Sequence, residues 1–312
     1  MATRQRYTRK QIIFLTGPTA VGKTKAAIKL AKIINGEIIS CDSMQVYKGM
    51  DIISQKPTLF QQGQVPHHMI GVISPAKNFN VADYRKKALN IIKDIYKRNK
   101  TPIFVGGTGF YVKALIYGLF PSPKQDFKLR QNLKSEAEGR ESDYLHKKLQ
   151  AVDPETAKFL HPNDLKRIIR ALEVCCKAGA PMSELKKNTK GLSDSYRVKI
   201  FCLNMPREKL YDRISKRIDA MFAQGIISEC RRLKNAGLSL TASQALGCKE
   251  VFAYLDKKCL KTEAIELLKR NTRRFAKRQL SLFRNLSGVE WIDITDKETP
   301  VEIAKKIEAK II

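Results

Sequence analysis

The chain has 312 residues, which is long for one compact domain and short for three. Apolar residues make up 43%, enough for a real core, so wholesale disorder is excluded. Lys and Arg number 59 against 30 Asp and Glu; the net +29 is more than an enzyme of small neutral metabolites needs and points to a polyanion, either nucleic acid or an anionic membrane surface.

Residues 1–10 (MATRQRYTRK) are basic and lack an apolar run long enough for a signal peptide. The apolar run 11–15 then predicts a buried strand ending in a glycine-rich turn. From Thr24 the apolar positions Ile28, Ala31 and Ile34 fall at helical spacing, and Asn35-Gly36 stops that helix. Residues 38–41 predict a second strand ending at Asp42, 82–98 a helix, and 102–105 a third strand leading into Gly106-Gly107-Thr108-Gly109. Strand and helix in alternation predict a parallel sheet with right-handed crossovers. At Pro121-Ser-Pro123 the texture changes, and residues 126–187 show helical periods only. Residues 198–203 return to strand. A long helix from Arg207, a short one at 245–254, another at 262–284, a last strand at 289–294 and a C-terminal helix follow. The fold class expected is α/β, a P-loop NTPase-like parallel sheet flanked by helices. Residues 1–119 and 197–312 form its core domain and 120–196 an all-helical insertion domain.

The seven cysteines (Cys41, Cys175, Cys176, Cys202, Cys230, Cys248 and Cys259) are scattered, with no C-x-x-C pair. Neither a disulfide framework nor a zinc site is expected from that spacing. No stretch approaches the ~20 apolar residues of a membrane span. A soluble, cytoplasmic protein is expected.

Gly17-Pro18-Thr19-Ala20-Val21-Gly22-Lys23-Thr24 is a complete G-x-x-x-x-G-K-T loop between a strand and a helix. Backbone N–H groups and the helix N-terminus cradle a di- or triphosphate there, Lys23 reaches its oxygens, and the Thr24 hydroxyl is placed to bind Mg²⁺. The loop specifies neither ATP nor hydrolysis. An ordinary nucleotide hydrolase of this class also needs a carboxylate at a strand end. Asp42 is the candidate, equally suited to hold metal through water or to act as a general base. Thr108 offers a hydroxyl at the same sheet edge, within glycines that permit close approach to a ligand.

The helix at 262–284 carries the second signal. Lys269 to Arg284 contains seven basic residues and no acidic one. Stepping about 100° per residue, Leu268, Phe275, Gln279, Leu282 and Leu286 share one side, while Arg270, Arg273, Arg274, Lys277 and Arg278 share the other. Like charges at i, i+4 repel, so a one-sign stripe fits phosphate-backbone binding better than a solvated face. Lys166, Arg167 and Arg170 form a smaller cluster in the insertion, for which a solvated face is as good an account.

Several segments together resemble the tRNA dimethylallyltransferases (tRNA isopentenyltransferases): GPTAVGKT, DSMQVYKGMD (42–51), PHH (66–68), VGGTGFYVKAL (105–115), HPNDLKRIIRALEV (161–174), LYDRISKRID (210–219) and RRFAKRQL (273–280). The resemblance implies that the P-loop, residues Gly17 to Thr24, holds dimethylallyl diphosphate with Mg²⁺. It makes Asp42 the base for the exocyclic amine of the adenosine 3′ of the anticodon, and Thr108 and Arg217 the groups that stabilise the departing diphosphate. Ser43, Met44 and Gln45 would line the flipped adenine. Arg130, Lys166, Arg167, Ile168, Ile169, Arg170, Lys249, Arg273, Arg274, Lys277, Arg278 and Gln279 would grip the anticodon stem-loop of tRNA. A monomer is expected, and the lack of a C-terminal zinc-finger extension of the eukaryotic type favours a bacterial-like enzyme. The chain departs from the family pattern at Asp51-Ile-Ile-Ser-Gln-Lys-Pro57, where Asp-Ile-Gly-Thr-Ala-Lys-Pro is usual. It departs again at Met69-Ile70-Gly71, at Gly247-Cys248 and at Ser281-Leu282. The alternatives are a small-molecule or nucleoside kinase using the same loop on ATP, which leaves the charge unexplained, and a nucleic-acid-dependent ATPase, which needs a second carboxylate.

Overall fold

The computed structural model describes residues 10–187 and 189–311; the basic segment 1–9 lies outside the described residues. The chain runs β1 (Gln11–Thr16), α1 (Lys23–Ile33), β2 (Gly36–Ser40), α2 (Leu59–Gln62), β3 (His67–His68), α3 (Val81–Lys97), β4 (Thr101–Val105) and α4 (Gly109–Ile116). Helices α5 (Phe127–Ala137), α6 (Tyr144–Val152), α7 (Pro154–Lys158), α8 (Leu165–Ala178), α9 (Met182–Lys187) and α10 (Leu192–Ser195) follow. The remainder is β5 (Arg197–Asn204), α11 (Arg207–Ala223), α12 (Ile226–Ala236), α13 (Cys248–Leu255), α14 (Lys261–Arg284), β6 (Val289–Asp293) and α15 (Pro300–Glu308). Two compact units result: one comprises the chain up to Ile116 together with the part from Ser195 onward, the other is Tyr117–Asp194.

The first unit is built on a six-stranded sheet in the order β3-β2-β4-β1-β5-β6, each neighbouring pair parallel. Residues Ile12 to Leu15 of β1 are fully buried, as a strand covered on both faces must be. The Phe14 and Phe104 rings stack on adjacent strands with centroids 4.7 Å apart. Asn80 caps α3, its side chain accepting from the backbone of Ala82 and Asp83, while the Asp83 side chain closes the capping box. From α3 the buried Tyr84 hydroxyl donates to the Ser40 carbonyl at 2.9 Å, and its ring stacks on Tyr111 of α4. That contact anchors the end of β2 two residues before Asp42. The long helix expected from Arg207 is two helices, because Gly225 takes a left-handed conformation (φ 96°) and ends the first. Strand β3, two residues long, has no sequence periodicity and was not expected.

The second unit is helical, with Leu133, Leu145, Leu149, Ala157, Ile168, Ile169, Ala171 and Leu172 as its core. Among the described residues no cysteine pairs with another, and no helix is long and apolar enough to cross a membrane.

Candidate active site

Three strands of the first unit deliver their carboxyl ends to one edge. β1 runs into the P-loop, β2 into Cys41-Asp42, and β4 into Gly106-Gly107-Thr108. Parallel sheets bind ligands at this edge because loops diverge there and helix N-termini point into it. A cleft of about 1000 Å³ opens on it. Thr19, Ala20, Gly22, Lys23 and Thr24 of the P-loop line it together with Asp42, Gln45, Arg217 and much of the segment from Asp51 to Gln62. Ile38, Ile52, Pro57, Leu59, Ile70 and Val105 give the same cleft an apolar portion.

Lys23, the first residue of α1, donates to the carbonyls of Gly17 (2.9 Å) and Pro18 (2.7 Å). Burial lowers its pKa to about 8; Asp42 opposes that shift and Arg217 adds to it. Asp42 is half-buried, and its Oδ1 accepts from the backbone N–H of Met44 (2.8 Å) and Gln45 (3.4 Å), which leaves Oδ2 for a substrate. Burial raises the Asp42 pKa in spite of those two hydrogen bonds and of the Lys23 and Arg217 charges. A carboxylate kept basic beside a phosphate loop suits proton abstraction.

Arg217 comes from α11, whose buried face carries Leu210, Ile214, Ile218 and Met221. Its Nη2 donates to Thr19 Oγ1 at 2.5 Å, and its Nε is buried without a protein partner. Burial lowers its pKa to about 10, so it stays cationic at neutral pH. Thr108 Oγ1 accepts from the Ser43 N–H at 3.0 Å and so ties the β4 loop to the residue after Asp42. Ser43 and Met44 are half-buried, and Gln45 Oε1 accepts from Ser40 Oγ at 2.8 Å.

Five of the residues expected to contact tRNA have side chains buried in, or engaged by, the protein itself. Gln279 is only 7% exposed, and its side chain bridges the two glycine loops: Oε1 accepts from the Thr19 N–H (2.9 Å) and Nε2 donates to the Gly107 carbonyl (2.8 Å). A Cβ on Gly107 would lie 2.1 Å from that Nε2, so a larger residue there would displace the bridging amide. Gln279 therefore shapes the cleft, with both ends of its amide engaged by backbone. Its position on the apolar side of α14 was the available signal, because a buried amide has to find partners. Ile168 and Ile169 lie in the core of the helical unit, so their side chains are closed to a ligand. Arg130 is held by the buried Glu173, which accepts its Nε at 3.0 Å and its Nη2 at 2.7 Å. Arg170 pairs with the same carboxylate. The two guanidiniums thus offset the buried Glu173 charge while staying partly exposed.

Other basic residues stay outward. Lys166, Arg167 and Lys249 are exposed, Arg167 lying 3.2 Å from Asp164. On α14 the buried line is Ala264, Leu268, Thr272, Ala276, Gln279 and Phe283, rotated from the expected one, so Phe275 sits at its margin. Arg270, Arg274, Lys277 and Arg278 are exposed. Arg273 is half-buried, donating to Ser215 Oγ at 2.9 Å over the Tyr211 ring. Arg213 was missed: its Nη1 donates to the Val21 carbonyl of the P-loop at 3.3 Å. Its spacing of four from Arg217 on one helix puts both on one face, a signal the sequence does contain.

The family model described as IPP transferase matches residues 45–286, and that described as Isopentenyl transferase matches 10–62. A tRNA dimethylallyltransferase of Halothermothrix orenii is 48% identical over 91% of this chain and 88% of its own length. One from Bacillus cereus is 43% identical over 97% and 96%. This chain belongs to the tRNA dimethylallyltransferase family. It is thereby an enzyme of the prenyltransferase class. Among solved structures, the full-length tRNA isopentenylpyrophosphate transferase of Bacillus halodurans is 40% identical, with a TM-score of 0.70 and 97% of each chain covered. A eukaryotic dimethylallyltransferase described as acting on tRNA is 29% identical, with a TM-score of 0.79 over 96% of this chain and 77% of that one.

Proposed function

We propose that this chain transfers the dimethylallyl group of dimethylallyl diphosphate to the exocyclic N6 amine of the adenosine 3′-adjacent to the tRNA anticodon, working as a monomer in the cytoplasm. The observation that carries the reading is the juxtaposition, in one cleft, of a phosphate loop, a carboxylate with a raised pKa and an apolar portion. A diphosphate with a short hydrocarbon tail matches that mixture. The strands flanking β1 argue against ATP hydrolysis: β4 ends in Val105-Gly106-Gly107-Thr108 and β5 in Asn204-Met205-Pro206, neither with a carboxylate. Asp42 follows β2, one strand further out.

The amine nitrogen is a weak nucleophile because its lone pair is delocalised into the ring. As it bonds to C1 of the prenyl group, Asp42 Oδ2 takes its proton, the C1–O bond breaks, and the electron pair leaves on the diphosphate. Lys23, Arg217 and the P-loop amides meet that charge. The adenine must leave the anticodon stack to reach the cleft, beside Ser43, Met44 and Gln45. Among the described residues no cluster of three or more His, Cys, Asp or Glu exists to cage a metal. A lone Thr24 hydroxyl beside a diphosphate site fits Mg²⁺, which keeps several waters and binds largely through substrate phosphates. When bound, Mg²⁺ would offset charge on the diphosphate.

Incubation of the chain with labelled dimethylallyl diphosphate, or with labelled ATP, and bulk unmodified tRNA tests the reading. Label from the prenyl donor should enter tRNA; phosphate transfer from ATP would instead make it a kinase.

Positive charge on α14 and at Lys166, Arg167 and Lys249 is assigned to the RNA backbone. Lys277→Gln with Arg278→Gln should weaken tRNA binding and reduce its slope against log salt by about 0.7–0.9 per lost contact. Affinity for the prenyl diphosphate should hardly change. Parallel salt lines for wild type and double variant would refute the assignment.

A further inference from the structure

Glu229 of α12 is a buried carboxylate, 2% exposed, whose partners are all backbone. Its Oε2 accepts from the N–H groups of Asp51 and Ile52, each at 2.9 Å, and its Oε1 from that of Ile53 at 2.8 Å. Three successive amides converging on one anion make a nest, with the ligand here supplied by the protein itself. Burying a carboxylate is costly, and the amides of an ordinary surface turn can be satisfied by water. Holding this turn in one shape is therefore the function of that charge.

The shape matters because the turn begins the wall of the P-loop cleft. Ile52, Gln55 and Lys56 line it. Ile53 is buried, and a Cβ on Gly247 at the start of α13 would lie 3.3 Å from it. Beyond it, the Gln55 carbonyl accepts from Gln45 Nε2 at 3.2 Å, and the Gln45 N–H in turn points to Asp42 Oδ1 at 3.4 Å. A continuous set of hydrogen bonds and covalent links thus runs from Glu229 through residues 51–55 to the base. This is also the segment where the chain departs from the family's small-residue turn, so the clamp holds an Ile-Ile-Ser-Gln sequence in place without those small residues.

We infer that Glu229 is a positioning residue for the prenyl-donor pocket, fixing the 51–53 turn so that Ile52, Gln55 and Lys56 keep their places in the lining of the P-loop cleft. The inference rests on the functional reading above, which assigns the cleft to dimethylallyl diphosphate.

Two variants test it on the full chain. Glu229→Gln keeps one acceptor oxygen but loses the second and the charge; Glu229→Ala removes both. In Glu229→Gln, the KM for dimethylallyl diphosphate should rise about tenfold or more, the scale of losing a buried charge-assisted hydrogen bond. The tRNA affinity should stay within about twofold and kcat at saturating donor within about threefold. Amide hydrogen exchange at residues 51–53 should accelerate while β1 and β4 keep their protection, which separates local release from global loosening. Glu229→Ala should show the same pattern, larger; if it does not fold, Glu229→Gln carries the test. An unchanged donor KM in a Glu229→Gln protein whose 51–53 amides exchange freely would overturn the inference. So would retained protection at 51–53, or equal loss of protection across the sheet. A wild-type chain that does not prenylate tRNA overturns the functional reading, and this inference with it; an active wild type with an unaffected variant overturns the inference alone.

Discussion

Asp42→Ala should slow prenyl transfer by roughly 10²–10⁴-fold at saturating tRNA and donor, the usual worth of a general base, and leave both affinities within a few-fold. The geometry supports this split. Oδ1 is engaged by the Met44 and Gln45 N–H groups, so the side chain is already aimed before substrate arrives. The pH profile supplies a second readout. Burial raises the Asp42 pKa, so the base form is lost as pH falls through a value above that of an ordinary aspartate. Burial lowers the Lys23 pKa to about 8, so the phosphate cation is lost as pH rises through that value. A plot of kcat/KM against pH, which reports the free enzyme, should therefore be bell-shaped with its alkaline limb near 8. In Asp42→Ala the acid limb should vanish, while the alkaline limb persists and moves to lower pH because the Asp42 charge that supports the Lys23 cation is gone. Full activity in the variant would remove Asp42 from the chemistry, and selective loss of Mg²⁺ binding would make it a metal ligand.

The parts of this site that were legible in the sequence are the parts built from local patterns. A glycine loop between strand and helix can take few shapes, and the apolar runs of β1, β2 and β4 needed no tertiary information to be read as buried strands. The one-sign stripe Arg270, Arg274, Lys277 and Arg278 was equally readable, because helical periodicity alone sorts those residues from Leu268. What could not be read depends on partners far away in the chain. Arg130 and Lys166 look alike as sequence, yet Arg130 finds Glu173 forty-three positions on and is half-buried against it, while Lys166 stays exposed. Glu229 meets Asp51 across 178 positions through backbone atoms, which leave no trace in side-chain spacing. Gln279 lies between these cases. Periodicity placed it on the inner face of α14, but only the fold brings the P-loop and the β4 loop within reach of one amide.

Arg217→Ala should lower the single-turnover rate of prenyl transfer by about 10²–10³-fold, the loss expected when one donor to a developing anion is removed, while tRNA affinity stays within about twofold. The alternative role, a surface ion pair with Asp212 or Asp219, has lost both partners. Asp212 lies 2.9 Å from Lys216, and Asp219 lies 2.9 Å from Lys269. Arg217 instead reaches Thr19 in the P-loop and keeps a buried Nε without a protein acceptor, which a diphosphate oxygen can satisfy. Stability separates the two roles. Burial works against the charged guanidinium and lowers its pKa to about 10, so the folded state gains nothing from that charge until an anion binds. The melting temperature of Arg217→Ala without ligand should therefore match or exceed that of the wild type. The stabilisation conferred by added inorganic diphosphate should shrink. Arg217→Lys keeps a cation but not the planar fork, and should recover only part of the rate. A drop under about threefold in Arg217→Ala, together with a lower melting temperature, would leave Arg217 with a packing role only.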